Sequence, residues 1–388
     1  MSPFTRYILF GIISLFAVST ANSQSSKLKT FWLCDTTIMS TKKMSGFETT
    51  DIKIVVNRDK FGRKTEFITK IKIINSNNFT ISKREIYTYN TNGKITRELN
   101  MIWSKNNDEW LINSQTRYVY NDKEMLIEKV YENITGDYVI CPVGYNLEKE
   151  LLKKKNISWN IINKEKYFYD ENGNQVIFIS TIYMGGKEKN TKITSKYVND
   201  LLLEEKEETK DYTMSSPEMK KSTFEYKDDK TVKKNVLNWD KKTNKWKQLK
   251  ATEYKYKDGG SISEEIVCKF GFNYAGKWQM LHKEQIKYDL KQNITDKMYY
   301  DFDYIDEEWV LKQSYKYVFE YDQNDNLIRK TSKQKINDNW NDTDELIYFY
   351  DKYNNPVKRI SKSRQLGKQG LHDAYMIEYK YRKYTLQN

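Results

Sequence analysis

Proline is almost missing from this chain, with four in 388 residues. No stretch rich in Pro, Gly or Ser divides it, so nothing in the composition cuts it into separately linked domains. Cysteine is equally scarce. Cys34, Cys141 and Cys268 are odd in number and far apart, which excludes a disulfide framework. The two histidines, His282 and His372, have no close Cys/His neighbours in sequence, which argues against zinc. There is no Gly-x-Ser-x-Gly elbow, no phosphate-binding loop and no His-Glu-x-x-His, so nothing points to a nucleophile, a nucleotide or a metalloprotease site. The reading is of a chain without a cofactor. Beyond the N-terminus no run is apolar enough to cross a membrane as a helix.

The N-terminus itself reads as a secretory signal peptide over residues 1–23. Arg6 supplies the positive end, and Tyr7 to Val18 is an apolar run of about 12 residues, short of the roughly 20 that span a bilayer. Ala21-Asn22-Ser23 offers a small-x-small cleavage site, so the mature chain is expected to start at Gln24 and to carry no transmembrane segment. The expected location is extracytoplasmic: secreted, periplasmic or at the cell surface. Residues 24–50 read as a lead-in and 51–388 as one repeat domain.

What is present in quantity is aromatic and charged. The formal charge is +13, of which Arg6 is lost with the signal peptide. The lysines are spread through the chain between acids, which favours solubility and loose contact with anionic surfaces rather than nucleic acid. The run Lys153-Lys154-Lys155 reads as a solvated strand or loop. Charged residues make up 31%, a level that could signal disorder, but 14% aromatics, including 31 tyrosines and 9 tryptophans, supply large burial per residue and argue for a folded chain.

Those aromatics repeat. Tyr-x-Tyr, commonly followed by Asp or Asn, occurs at Tyr87-Thr88-Tyr89-Asn90, Tyr118-Val119-Tyr120-Asn121, Tyr167-Phe168-Tyr169-Asp170 and Tyr348-Phe349-Tyr350-Asp351, with variants between. A tryptophan stands ten residues before the second tyrosine at Trp110, Trp159, Trp246, Trp278 and Trp340. Most copies are about 28 to 33 residues apart, and an insertion near 132–150, with a loop expected at Cys141-Pro142-Val143-Gly144, lengthens one interval. Within a copy, Tyr315-Lys316-Tyr317-Val318-Phe319-Glu320-Tyr321 alternates with period two, the pattern of a half-buried strand. Asn/Asp/Gly clusters then mark tight turns.

Two strands and two turns fill each period. The expected fold is all-β: an antiparallel meander of about 20 strands built from repeated hairpins, curved or rolled over its aromatic side into one repeat domain. A period near 30 is too short for a propeller blade. The face opposite the tyrosines reads as Lys, Glu, Thr and Asn, which lacks the apolar band of an outer-membrane barrel. Core packing and cross-strand pairing account for the aromatic set; an exposed ladder for stacking sugars or bases is the alternative.

At Tyr87 to Ile95 and Tyr167 to Asn174 the chain resembles the Tyr-Asp (YD) repeats of Rhs-type and teneurin proteins, with a longer period and fewer glycines. The resemblance implies a β-rich shell. The chain is also similar to the Tyr/Trp-rich hairpin-repeat proteins that Bacteroidetes-type bacteria export, a group with no established activity.

The functional expectation is a non-catalytic extracytoplasmic binding or scaffold protein, whose partners would be an anionic polysaccharide or an envelope protein. Trp103, Trp110, Trp239 and Trp246, with neighbouring lysines, are the candidate ligand-binding residues; each pair also brackets a turn, and clamping it is the plainer role. The alternative is a polysaccharide-acting enzyme using paired carboxylates, of which Asp306, Glu307 and Glu308 are examples. Calcium at Asp170 to Asn174 or Asp322 to Asn326 would need a distal bidentate acid that does not recur.

Overall fold

A computed structural model describes residues 30–41, 51–72, 79–104, 109–135, 139–141, 158–257, 260–272, 278–303, 306–364 and 370–385. The signal peptide, Lys153–Lys155 and Pro142-Val143-Gly144 lie outside these. Among the described residues every regular element is a strand. The early strands are β1 Thr30–Thr41, β2 Asp51–Arg58, β3 Lys64–Lys72, β4 Thr80–Tyr89, β5 Ile95–Ser104, β6 Glu109–Tyr120, β7 Leu126–Thr135, β8 Val139–Cys141 and β9 Ser158–Tyr169. Next come β10 Gln175–Met184, β11 Lys187–Val198, β12 Leu201–Lys210, β13 Glu218–Lys227, β14 Lys230–Asp240, β15 Lys245–Tyr256 and β16 Ile262–Phe272. The last are β17 Trp278–Tyr288, β18 Ile294–Asp303, β19 Glu308–Tyr321, β20 Leu327–Ile336, β21 Asn339–Tyr350, β22 Pro356–Arg364 and β23 Leu371–Thr385. The antiparallel meander of repeated hairpins is as expected, with 23 strands.

The chain divides into two compact units. The first takes in the described residues among 1–82, 348–360 and 374–388. In it β1 pairs with β2 on one side and with β23, the last strand, on the other. First strand and last are thus bonded to each other. The expected curved or rolled meander left closure undecided, and this pairing of first and last strands supplies it. An end strand leaves a row of unpaired N–H and C=O groups, and the eleven-residue register from Thr30↔Thr385 to Thr41↔Tyr375 satisfies them. Asp35 bulges out of that ladder and is buried. Its carboxylate accepts from Arg58 Nε of β2 at 3.0 Å and pairs with Arg382 Nε of β23 at 3.2 Å, so one acid bolts three strands.

The second unit takes in the described residues among 83–347 and 361–373. Strands β5 to β7 run as a meander, β7 pairs directly with β9, and the meander continues to β21. The short β8 lies in the insertion and pairs with β6 alongside Trp110, Leu111 and Ile112. The tightest packing is here: Leu99, Met101, Trp110, Ile112 and Val130 are all buried, and so are Ser114, Gln115, Thr116 and Glu132. Glu132 accepts from Gln115 Nε2 at 2.7 Å and from Arg117 Nε and Nη2 at 2.8 Å each. The Arg117 guanidinium holds this carboxyl below the usual range against the opposing effect of burial.

The face opposite the tyrosines is not uniformly polar, a correction. Val119, Phe168, Val198 and Phe349, the residues beside the tyrosines, are exposed. Alternation dictates that they point away from the tyrosine side whatever their polarity.

Candidate functional site

The tyrosines of the repeat have separate tasks. In five copies the second tyrosine donates its phenol hydroxyl to a backbone carbonyl at the start of the preceding hairpin's return strand, whereas Tyr288 donates to Glu265 and Tyr321 accepts from Asn293. Tyr120 reaches Ile95 at 2.9 Å, Tyr169 reaches Leu126 at 2.8 Å, Tyr197 reaches Gln175 at 3.3 Å, Tyr226 reaches Leu202 at 2.8 Å and Tyr256 reaches Thr231 at 2.7 Å. Each bond latches one hairpin to the one before it. The Tyr169 latch does so across the whole insertion. The first tyrosine instead meets a carboxylate in several copies: Tyr87 bonds Glu85, and Tyr167 bonds Glu165 at 2.6 Å. Burial, and then the carboxylate partner, push both phenols well above their ordinary range.

The Asp or Asn that follows closes the turn. Oδ1 of Asp59, Asn90, Asn121, Asp170, Asp289, Asp322 and Asp351 accepts the N–H four residues on. The residue before that donor has positive φ: glycine at Gly62, Gly93 and Gly173, but Glu124, Gln292, Asp325 and Asn354 elsewhere. A side chain there is strained, and three of these four bind a neighbouring hairpin. Asn92 donates to Glu124, Lys291 pairs with Asp325, and Gln292 donates to the Ile262 carbonyl at 3.0 Å. The acidic turns at Asp170 and Asp322, weighed against calcium, direct Oδ1 at their own backbone amides.

The four candidate tryptophans come together in pairs. Trp103 lies opposite Trp110 with ring centroids 5.1 Å apart, and Trp239 opposite Trp246 at 5.2 Å, both edge-to-face. Phe272 with Trp278 and Phe302 with Trp309 repeat the arrangement, which the sequence did not reveal because phenylalanine takes one place. A cation from two strands earlier covers a ring in each: Arg84 over Trp110, Lys221 over Trp246, Lys247 over Trp278 and Lys283 over Trp309, at 5.7, 5.0, 5.6 and 4.9 Å. Rings that pack edge-on and carry a cation above satisfy each other. The pairs bracket turns, as a clamp does.

One concave site is formed by residues sequence reasoning missed. On the tyrosine face of β6, β7 and β9, a cleft of about 210 Å³ is lined by Thr116, Lys129, Tyr131, Asn163 and Glu165. The registers set Thr116, Tyr131 and Asn163 in one row across three strands, and Tyr118, Lys129 and Glu165 in the next. Glu165 accepts from Asn163 Nδ2 at 3.1 Å and from Tyr167, and lies 3.7 Å from Lys129 Nζ. Lys129 sits 6.0 Å from the centre of the Tyr118 ring. The cleft falls where the repeat breaks, between β7 and β9. In the regular copy from β15 to β17 the equivalent row is Thr252, Val267 and Glu284, with Val267 buried.

The carboxylates considered for catalysis do not converge. Asp306 and Glu307 form an exposed turn and Glu308 opens β19, also exposed. His282 faces Asp301 at 2.6 Å in an exposed pair. Among the described residues no three His, Cys, Asp or Glu side chains form a metal-binding group.

No protein-family model matches the chain, and no curated protein matches it. Solved structures give distant likenesses. A porin-like protein from Bacteroides uniformis is 9% identical over 90% of this chain and 98% of that one, with a TM-score of 0.27. A DUF3836 family protein from Parabacteroides distasonis is 20% identical over 29% of this chain and 90% of its own, at 0.20. The TcdB2-TccC3-TEV structure is 8% identical over 96% of this chain and 28% of that one, at 0.17. TM-scores this low carry no argument about function, and the YD resemblance stands on the motif alone. Among the described residues no helix is long and apolar enough to cross a membrane, which says nothing about strands.

Proposed function

We propose that the protein is a non-catalytic extracytoplasmic scaffold that binds an anionic envelope glycan. The observation that supports this reading is how the recurring chemistry is used. Repeated tyrosines latch hairpins, repeated acids close turns and repeated tryptophans clamp strand ends. These groups are committed to architecture, and none forms the separated acid–base pair a hydrolase needs. The net positive charge, +13 for the whole chain less Arg6, then supplies long-range attraction for an anionic polymer. An envelope protein is the second partner class.

The test is capture of envelope polysaccharides and proteins by residues 24–388 at low and high salt. An anionic glycan retained at low salt and released at high salt is the expected result. Capture of a protein that survives high salt would replace the glycan reading, and hydrolysis of the polymer would overturn the non-catalytic one.

A further inference from the structure

We infer that the cleft on β6, β7 and β9 is a binding site for one uncharged sugar unit. The inference rests on the glycan reading above and adds where, and through which groups, a glycan residue is recognised.

Size comes first. Three neighbouring strands and two rows of side chains cover about 10 Å by about 7 Å at ordinary sheet spacings. That is the footprint of one pyranose ring. A volume of about 210 Å³ is below the roughly 300 Å³ at which pockets for drug-sized ligands begin.

Charge comes second. Lys129 and Glu165 oppose each other across the floor, so the cleft is formally neutral and favours neither anion nor cation. Their separation of 3.7 Å is longer than a good charge-assisted hydrogen bond, which leaves donor capacity on the ammonium for a ligand oxygen.

Hydrogen-bonding groups come third. Asn163 is held by Ser180, whose hydroxyl donates to its Oδ1 at 3.1 Å, and by its own bond to Glu165. Glu165 is fixed in turn by the Tyr167 hydroxyl. These residues are preorganised, and Thr116 and Tyr131 add two hydroxyls that both donate and accept. Vicinal hydroxyls, each needing a donor and an acceptor, match this mixture. The rings of Tyr118 and Tyr131 on the same face offer apolar surface for the C–H side of a pyranose.

The site also differs from the β15–β17 copy of the repeat. In the regular β15–β17 copy the middle of the row is the buried Val267, which fills the space. Tyr131 at the corresponding place brings a hydroxyl, as Tyr299 does between Glu284 and Gln313 in the β17–β19 copy, and the β6–β9 row lies beside the insertion that interrupts the pattern.

Saturation-transfer NMR and calorimetry on residues 24–388 would use D-glucose, D-galactose, D-mannose and N-acetyl-D-glucosamine, with D-glucuronate as the charged comparison. The expected result is saturable binding of at least one neutral sugar, insensitive to salt, and weakened at least tenfold in both Tyr131→Phe and Glu165→Gln. Glucuronate should gain no advantage over its neutral counterpart. Thr116→Val keeps the shape and removes a hydroxyl, and its thermal midpoint guards against loss of fold. Neutral sugars that fail to bind, or bind undiminished in the folded variants, overturn the site. Salt-sensitive capture of an anionic polymer that survives those substitutions would leave the scaffold reading standing and remove only this one.

Discussion

The Tyr256 hydroxyl donates to the Thr231 carbonyl at 2.7 Å, from the end of β15 to the start of β14. Four other copies make the same bond, so a phenol oxygen, rather than aromatic packing alone, explains why tyrosine stands at this position.

Replacement of Tyr256 by Phe keeps the ring and removes only the latch. The expected cost is about 0.5–1.5 kcal/mol, the net worth of one such bond. A shift of the urea midpoint measures it. An unshifted midpoint would reduce the tyrosine to a space filler.

Asp35 holds two arginines at the seam between β1, β2 and β23. Asp35→Ala leaves the Arg58 guanidinium buried without its acid, at a cost of about 3–5 kcal/mol. Removal of the largely exposed Arg382 partner should cost much less. Equal losses in Asp35→Ala and Arg382→Ala would contradict the bolt.

Cys34 lies opposite Tyr381 in the pairing of first and last strands. Tyr381→Cys therefore places a second thiol across the ladder, where a disulfide forms if the Cα separation permits it. Mild oxidation followed by non-reducing electrophoresis and peptide mapping should find Cys34 linked to the introduced thiol. A chain that remains fully reduced would argue for an unclosed meander.

Acid should loosen the turns. Asn326, through its side-chain amide and its backbone N–H, holds the Asp322 carboxyl below its ordinary value of 3.8. Asp289 and Asp351 are also lowered: burial alone would raise them, but the hydrogen bonds from Asn293 and Asn355 outweigh it. A carboxyl depressed in the folded state contributes stability that is present above its unfolded pKa and lost as pH falls through the folded one. Thermal midpoints should thus hold steady at neutral pH and fall below about pH 4. Asn90 and Asn121 show that asparagine builds the same turn. Changing Asp170, Asp289, Asp322 and Asp351 together to Asn should flatten the acid limb; an unchanged limb would place the titration elsewhere.

The hairpin order, the number of strands to within a few and the turn positions are legible in the Tyr-x-Tyr and tryptophan spacing, because period two and turn chemistry are local. Closure is not. Strand β1 lies in the lead-in, carries no Tyr-x-Tyr, and meets a partner more than three hundred residues away. The cleft was hidden for the same reason: Thr116 and Asn163 share a row only because β7 pairs across the insertion with β9. The tryptophans drew attention as binding residues because they recur, and recurrence is what a clamp needed in every hairpin produces.

The most direct measurement is therefore a comparison of stability and sugar binding in Trp246→Ala and Tyr131→Phe. Loss of the Trp239 pair should lower the thermal midpoint while the folded protein keeps its affinity. Loss of the Tyr131 hydroxyl should leave the midpoint nearly unchanged and weaken binding at least tenfold. The reverse result, with affinity lost at Trp246 and kept at Tyr131, would return the ligand to the tryptophans and contradict the division between repeated architecture and a binding site at the repeat's break.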